Sequence, residues 1–89
     1  MSEGDLSPAE LLRQAMALHQ AGRLDAAEDL YRRLLGAHPN QVDALHLLGV
    51  VAMQRRRFDE AERLIGRAVA LKPDFVAAFY NLGNARREA

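Results

Sequence analysis

The stretch Asn40–Asp74, which reads NQVDALHLLGVVAMQRRRFDEAERLIGRAVALKPD, decides the fold of this chain. Shifted by 34 residues, it matches the sequence on either side, so that Pro39 recurs as Pro73. The same shift relates ten further pairs, namely Leu11 and Leu45, Asp25 and Asp59, Ala27 and Ala61, Glu28 and Glu62, Leu30 and Leu64, Arg33 and Arg67, Val42 and Val76, Ala44 and Ala78, Leu48 and Leu82, and Gly49 and Gly83. Chance similarity would not keep one register for so long, and the pattern therefore indicates an array of internal repeats.

Helix start and stop signals divide the first repeat into two helices. Ser7 is a good N-cap, Pro8 suits the first helical position, and Glu10 can complete a capping box. The apolar helical spacing that follows is interrupted at Gly22, where a short turn is predicted. A second helix is predicted to end just before Pro39, because the residue that precedes a proline disfavours helical geometry.

The same signals then recur in the later part of the chain. Asn40 is predicted to cap a third helix, and Asp74 to cap a fifth helix that runs to the end of the sequence. Between them, Arg55–Arg57 forms a predicted turn and Phe58–Leu71 a fourth helix. Nothing in the chain alternates in the manner of a strand. The predicted fold class is therefore all-α, with about five helices in antiparallel hairpins.

Composition limits the classes of function. The 89 residues are enough for one small domain, and 12 basic against 12 acidic residues give a formal net charge of zero. This balance argues against bulk attraction to nucleic acid or to an anionic membrane. The absence of cysteine from the sequence excludes disulfides and thiolate zinc sites. The acidic start and the lack of a long apolar run suggest a cytoplasmic setting, and the preference for arginine over lysine is typical of bacterial proteins from GC-rich genomes.

A helix–turn–helix period of 34 residues resembles the tetratricopeptide repeat. The second repeat matches the family spacing at Leu45, Leu48, Gly49, Ala52, Ala61, Ile65, Ala68 and Pro73. The first repeat offers Leu11, Ala15, Leu18, Ala27, Tyr31, Leu34 and Pro39, and a third begins with Phe79, Leu82 and Gly83. The resemblance implies an α-solenoid with a right-handed superhelix over residues 7–89, after a flexible lead at 1–6. Repeat 1 is expected at about 8–41, repeat 2 at about 42–75, and a partial repeat 3 at about 76–89.

Small residues are expected where the two helices of a hairpin cross. Gly49, Gly83 and Ala15 occupy this position in the three repeats, since a larger side chain there would force the helices apart. Ala27 and Ala61 are expected to approach them from the second helix of each hairpin. Each hairpin leaves one face uncovered, so stability should come from the stacking of neighbouring repeats.

The resemblance also implies a binding site for a peptide or helix in the concave groove formed by the first helix of each repeat. Carried over by register, the groove positions are Leu12, Met16, His19, His46, Leu47, Val50, Met53, Tyr80, Asn81 and Asn84. Six of these side chains are apolar or aromatic on a face that the repeat core is not expected to cover, and an exposed apolar patch usually marks a partner site. The alternative is that these side chains only cover one another or pack against another part of a longer array.

Two groove chemistries known in the family fit this chain poorly. The clamp for a C-terminal carboxylate needs basic and amide side chains where the first repeat has Leu12 and Met16. The asparagine that grips a peptide backbone in the O-linked N-acetylglucosamine transferases is matched by Asn81, but the equivalent positions hold Leu47 and Arg13.

No catalytic or metal-binding constellation is expected. His19 and His46 should be helix-surface residues separated by ~10 Å along the axis, at ~1.5 Å per residue, which is too far for one metal ion. The arginines at 55–57 are expected in a solvated turn that complements the helix dipole, rather than in a nucleic-acid patch. Carboxylates such as Glu28 and Asp59 are expected to form surface pairs with the arginine four residues later.

Two functional interpretations follow. The favoured one is a non-catalytic interaction module or scaffold, with a protein or peptide partner and no cofactor, metal, nucleic acid or membrane. The alternative is a structural spacer or docking segment of a longer bacterial protein, such as one with a glycosyltransferase or assembly-factor domain. The last helix offers Phe79, Leu82 and Ala85 with no following helix to cover them, so truncation and a homo-oligomer through this helix are further expectations.

Overall fold

The computed structural model describes residues 6–89, and within this range the chain forms five α-helices. These are α1 (Pro8–Gln20), α2 (Leu24–Ala37), α3 (Val42–Gln54), α4 (Phe58–Leu71) and α5 (Val76–Glu88). Helices α1 and α2 form one hairpin and α3 and α4 a second, while α5 packs on α4 and the inner helices α1, α3 and α5 are neighbours. The predicted all-α helical-repeat fold is therefore confirmed. Except for Leu6, the flexible lead predicted for residues 1–6 lies outside the described residues, and the numbered repeat boundaries stay a prediction.

The turns inside the two hairpins have the same backbone geometry. In both, two amide groups of the turn donate back to the last turn of the preceding helix, as in a Schellman motif. The bonds are Arg23 N to Leu18 O (2.9 Å) and Gly22 N to His19 O (3.0 Å) after α1, and Arg57 N to Ala52 O (2.8 Å) and Arg56 N to Met53 O (2.9 Å) after α3. The motif requires one residue in the left-handed region, and this residue is Gly22 at φ 79° in the first turn and Arg56 at φ 61° in the second.

The N-terminal cap of α1 confirms the sequence prediction. Glu10 N donates to Ser7 Oγ at 3.2 Å, and Ser7 N donates to Glu10 Oε1 at 3.1 Å, which completes the capping box. The bond from Ser7 N to the Glu10 carboxylate is the largest cause of the lowered pKa of Glu10.

The predicted caps of α3 and α5 are wrong. Gln41 caps α3, since its Oε1 accepts a bond from Ala44 N at 2.8 Å. The residue before α5 is Phe75, and no side chain of the described chain caps that helix. Asn40 and Asp74 each lie inside a β-turn that has the proline at its second position, because Gln41 N donates to His38 O and Phe75 N donates to Lys72 O, both at 3.1 Å. The turn places each helix start one residue further along the chain.

The helix crossing at Gly49 is as tight as predicted. A Cβ built on Gly49 would lie 2.4 Å from Ile65 Cγ1 and 3.4 Å from the carbonyl oxygen of Ala61, so both residues face it. Ala15, Ala27 and Ala61 are fully buried, as are the larger core residues Tyr31, Leu34, Leu45 and Ile65. The expectation for Gly83 is wrong: among the described residues, no atom lies within 4 Å of its built Cβ. The reason is that no described helix covers this side of α5.

Ion pairs join the two hairpins on the side of the turns. Glu28 of α2 accepts bonds from Arg32 at 2.8 Å and from Arg57 at 3.1 Å, and Arg32 also contacts Glu60 of α4 at 2.9 Å. Burial raises the pKa of Glu28, but the bonds and charges of Arg32 and Arg57 outweigh it, and the net result is a lowered pKa.

The expectation of a solvated arginine turn is wrong for Arg55, whose side chain is 25% exposed and bridges to Asp25 of α2, whereas the side chain of Arg57 stays 45% exposed while it contacts Glu28. The side chain of Arg56 instead lies over the ring of Phe58, 5.3 Å from its centroid. The pair predicted four residues apart at Glu28 is confirmed, whereas no ion pair between Asp59 and Arg63 forms in the described part of the chain. None of the described helices has the length and apolar character that a membrane span requires.

Candidate interaction groove

The candidate site lies along the inner helices α1, α3 and α5, which carry all ten predicted groove residues. Two side-chain hydrogen bonds link these helices, one from α1 to α3 and one from α3 to α5. Both join a histidine to an amide side chain 35 residues later, which is one repeat plus one residue. The sequence analysis missed these bridges, although that spacing of histidine and amide on successive inner helices was a usable signal.

The first bridge fixes the orientation of His19. Its Nε2 donates to Gln54 Oε1 at 2.7 Å, so Nε2 carries the proton and Nδ1 is an acceptor. The hydroxyl of Tyr31 donates to that Nδ1 at 3.1 Å. Burial raises the pKa of Tyr31 to about 12, and the hydroxyl therefore stays protonated at neutral pH. His19 thus connects a buried core residue of α2 to the surface of α3.

The second bridge contradicts the expectation that His46 is a helix-surface residue. His46 is only 7% exposed, and the ring of Phe75 packs edge-on against it with centroids 4.8 Å apart. Its Nε2 accepts a bond from Asn81 Nδ2 at 2.8 Å, which requires a neutral ring with the proton on Nδ1. Burial lowers the pKa of His46, and the nearby charge of Asp43 opposes this effect. His46 is buried because α5 and the turn before it pack against α3.

A concavity of about 220 Å³ brings together three of the predicted groove residues, Met16, His19 and Leu47. Gln20 and Tyr31 complete its lining. Met16 is 37% exposed, so a ligand in the concavity would meet its thioether and the isobutyl group of Leu47 beside two polar side chains. This arrangement suits an apolar side chain of a peptide, because a flexible methionine adapts to varied shapes.

The other predicted groove residues lie outside this concavity. Leu12 and Met53 are only partly exposed and pack against the hydrophobic core, as does Leu47, which also lines the concavity, so the expectation that the core leaves these three uncovered is wrong. Tyr80 is 70% exposed on α5, and Val50 is half-buried on α3. The amides of Asn81 and Asn84 are already engaged, with His46 and with Arg87 respectively. Asn81 therefore serves to join two helices in this structure.

The geometry gives little support for metal chemistry at the groove. Within residues 6–89, no three side chains of His, Asp or Glu converge in a way that could hold a metal ion. His19 and His46 each have a ring nitrogen committed to an amide partner on the neighbouring inner helix.

The repeated hairpins, the alternation of small and large residues at their crossings, and the row of inner helices define a helical-repeat protein. Residues 18–85 match the family described as tetratricopeptide repeat. The chain belongs to this family, and the resemblance noted from the sequence is confirmed. The family supports a role in protein–protein interaction in general terms.

One curated relative shows the same sequence pattern. The chain is 32% identical over 72 residues to the rhomboid protease GluP of Bacillus subtilis strain 168. The match covers 81% of this chain and 14% of that protein, so the chain spans about a seventh of the relative's length.

Proposed function

We propose that this chain is a non-catalytic interaction module that binds a peptide or helix along the inner helices. The observation that carries the proposal is the concavity where Met16 and Leu47 lie beside His19 and Gln20. An apolar side chain of the ligand would enter it, and the exposed polar edges of Gln20 and Gln54 would lie next to the ligand backbone. All ten predicted groove residues stay part of this proposal, although His46 and Asn81 then act by holding α3 and α5 together.

Contacts of the arginines and histidines bear on the kind of partner and on the absence of catalysis. Arg55 and Arg57 are neutralised by carboxylates of α2, which supports a protein partner rather than a nucleic acid. Commitment of both groove histidines to structural hydrogen bonds supports the absence of catalysis. The cytoplasmic setting inferred from the N-terminal sequence stays a prediction.

A peptide-binding experiment tests the groove. Peptides selected from a random library for binding to the full chain would be mapped by backbone chemical shifts. We expect the largest shifts around Met16, Leu47 and Val50. Shifts confined to the outer helices α2 and α4, with the resonances of Met16, Val50 and Tyr80 unchanged, would contradict the proposal.

A matched pair of variants distinguishes specific binding in the groove from nonspecific hydrophobic binding elsewhere on the surface. Met16→Glu places a charge in the concavity, while Leu71→Glu places one on α4 at a similarly exposed apolar residue. If one apolar side chain of the peptide is no longer buried, the binding free energy falls by roughly 1.5–3 kcal/mol, which lowers the affinity at least about tenfold. We expect this loss for Met16→Glu and an unchanged affinity for Leu71→Glu.

The second candidate function is a spacer or docking segment of a longer protein. The supporting observation is that the rhomboid protease GluP contains a matching stretch that makes up only 14% of its length. A stretch similar to this chain thus occurs within a longer protein, and a longer protein with a glycosyltransferase or assembly-factor domain remains the alternative considered from the sequence. The reading frame downstream of Ala89 tests this candidate directly, because a spacer requires a further domain in the same polypeptide.

The outer face of α5 is a further proposed surface. Val76 and Phe79 are exposed there. Self-association through this helix, expected from the sequence, stays a prediction.

A further inference from the structure

The outer face of α5 combines a large exposed side chain with an open gap on the same helix. Phe79 is 48% exposed, and the space above Gly83 is empty within 4 Å as far as the described residues extend. The two residues are four positions apart, so they lie next to each other on one face of the helix. This face of α5 therefore has a protruding side chain at Phe79 and a recess at Gly83, the two features that interlock when helices pack.

The middle of the molecule shows how such a recess is filled. Gly49 of α3 is the equivalent of Gly83 one repeat earlier, and Ile65 of the antiparallel helix α4 lies in direct contact with it. Leu45, the equivalent of Phe79, is fully buried. The α3–α4 pairing thus shows that this arrangement of residues accepts an antiparallel helix with a large side chain opposite the glycine.

We propose that the outer face of α5 binds the α5 helix of a second copy of this chain in an antiparallel pair. In this arrangement Phe79 of each copy packs over Gly83 of the other, as Ile65 packs over Gly49 within one chain. The contact is self-complementary, so two copies related by a two-fold axis satisfy both recesses at once and form a closed dimer. Val76 extends the apolar contact at each end of the pair.

The charges of α5 favour the antiparallel direction. Arg86, Arg87 and Glu88 give its last turn a net charge of +1, and Asp74 lies in the turn just before its first residue. An antiparallel pair brings the arginines of one copy towards Asp74 of the other, and it also opposes the two helix dipoles. A parallel pair would place the four arginines side by side. Arg86 already contacts Glu62 of α4 at 3.1 Å, so its charge is held at the edge of the face rather than over Phe79.

The first test measures association of the full chain by sedimentation velocity from micromolar to near-millimolar concentration. The wild type is expected to show a reversible monomer–dimer equilibrium. Gly83→Gln fills the recess without adding apolar surface, and Gly36→Gln makes the same change in α2, where the built Cβ also meets no described atom within 4 Å. Overpacking predicts a dissociation constant raised roughly fivefold or more by Gly83→Gln. Gly36→Gln should leave the constant unchanged.

The second test reads the direction of the helices by cross-linking. The native sequence contains no cysteine, so single variants Phe79→Cys and Gly83→Cys carry one thiol each. In an antiparallel pair, oxidation of an equimolar mixture should give mainly the mixed disulfide between the two variants. Equal yields of both homodisulfides would indicate a parallel pair and overturn the proposal. A wild type that stays monomeric at all concentrations, or a dimer that Gly83→Gln leaves intact, would also overturn it.

These results are independent of the groove. Gly83→Gln should retain peptide binding, and Met16→Glu should retain the dimer. Failure of the groove proposal would therefore appear in the peptide-binding measurements, and failure of the dimer proposal in the association measurements.

Discussion

Gly49 and Gly83 hold the same position in successive repeats, yet their surroundings differ completely. The first faces Ile65 and Ala61 across a crossing too close for a Cβ, whereas the second has an open side within the described chain. The comparison extends to other equivalent pairs: Glu28 of α2 is more covered than Glu62 of α4, and His46 of α3 is more covered than Tyr80 of α5. The position of a residue within the repeat therefore determines its backbone conformation. Its contribution to stability depends in addition on whether a neighbouring helix covers it.

The largest expected effect separates the two glycines. Gly49→Leu should lower the free energy of unfolding by roughly 3 kcal/mol, because the new side chain must displace Ile65 in a packed core. Gly83→Leu should change it little or raise it by about 0.5–1 kcal/mol, since leucine favours a helix more than glycine does. Urea denaturation at low protein concentration measures both. Equal destabilisation by the two changes would contradict the comparison.

The second contrast concerns two equivalent carboxylates. Glu28 is 15% exposed and bonded to Arg32 and Arg57, so Glu28→Gln should cost about 1.5 kcal/mol. Glu62 is 41% exposed and contacts Arg86, and Glu62→Gln should cost less than about 0.5 kcal/mol.

The lowered pKa of Glu28 adds a pH dependence to this contrast. Its stabilisation is present above the ordinary carboxyl pKa of 4.5 and is lost as the pH falls through the lower folded value. The difference between wild type and Glu28→Gln, followed by denaturation at several pH values, should therefore shrink in acid. A difference that stays constant down to pH values where the folded protein begins to unfold would indicate that the pairs contribute little.

The third contrast compares two helix starts. Ser7→Ala removes the capping box of α1 and should cost about 1 kcal/mol. Asp74→Ala should have little effect on the start of α5, because Asp74 lies in the preceding β-turn rather than at the cap. Thermal unfolding of both variants provides the measurement, and a larger loss from Asp74→Ala would show that the β-turn itself depends on this side chain.

The smallest expected effect is the pH dependence of stability that arises from the protonation of His46. Its folded pKa lies below 6.5, so the unfolded chain takes up a proton first as the pH drops. The free energy of unfolding should therefore be highest above pH 6.5 and fall as the pH decreases below it. His46→Gln should remove this part of the slope, whereas Tyr80→Gln at the equivalent exposed position should leave it unchanged. A slope that persists in His46→Gln would assign the effect to other groups.

Much of the fold followed from the sequence because its signals are local. Apolar spacing and the two prolines placed all five helices, and α4 begins and ends at the predicted residues. The caps at Asn40 and Asp74 were misplaced because both residues suit a helix cap and a β-turn equally, and the hydrogen bonds to His38 and Lys72 select the turn.

The groove was harder to predict because its residues respond to helices that lie far away in the sequence. Register placed His46 on the groove, but packing of Phe75 and Asn81 buries it. Packing between helices likewise places Leu47 so that it contacts the core and also lines the concavity. Sequence reasoning identified which helix face carries the site, but which of its side chains a ligand can reach is set by tertiary packing.

The turn after α3 has a consequence for how such arrays diverge. Arg56 occupies a left-handed conformation that Gly22 adopts one repeat earlier, and both turns keep the same pair of backbone hydrogen bonds. A side chain in this conformation costs roughly 1 kcal/mol relative to glycine. The position of the chain reversal is thus set by these two backbone hydrogen bonds, and an arginine can take the place of a glycine there without moving the next helix.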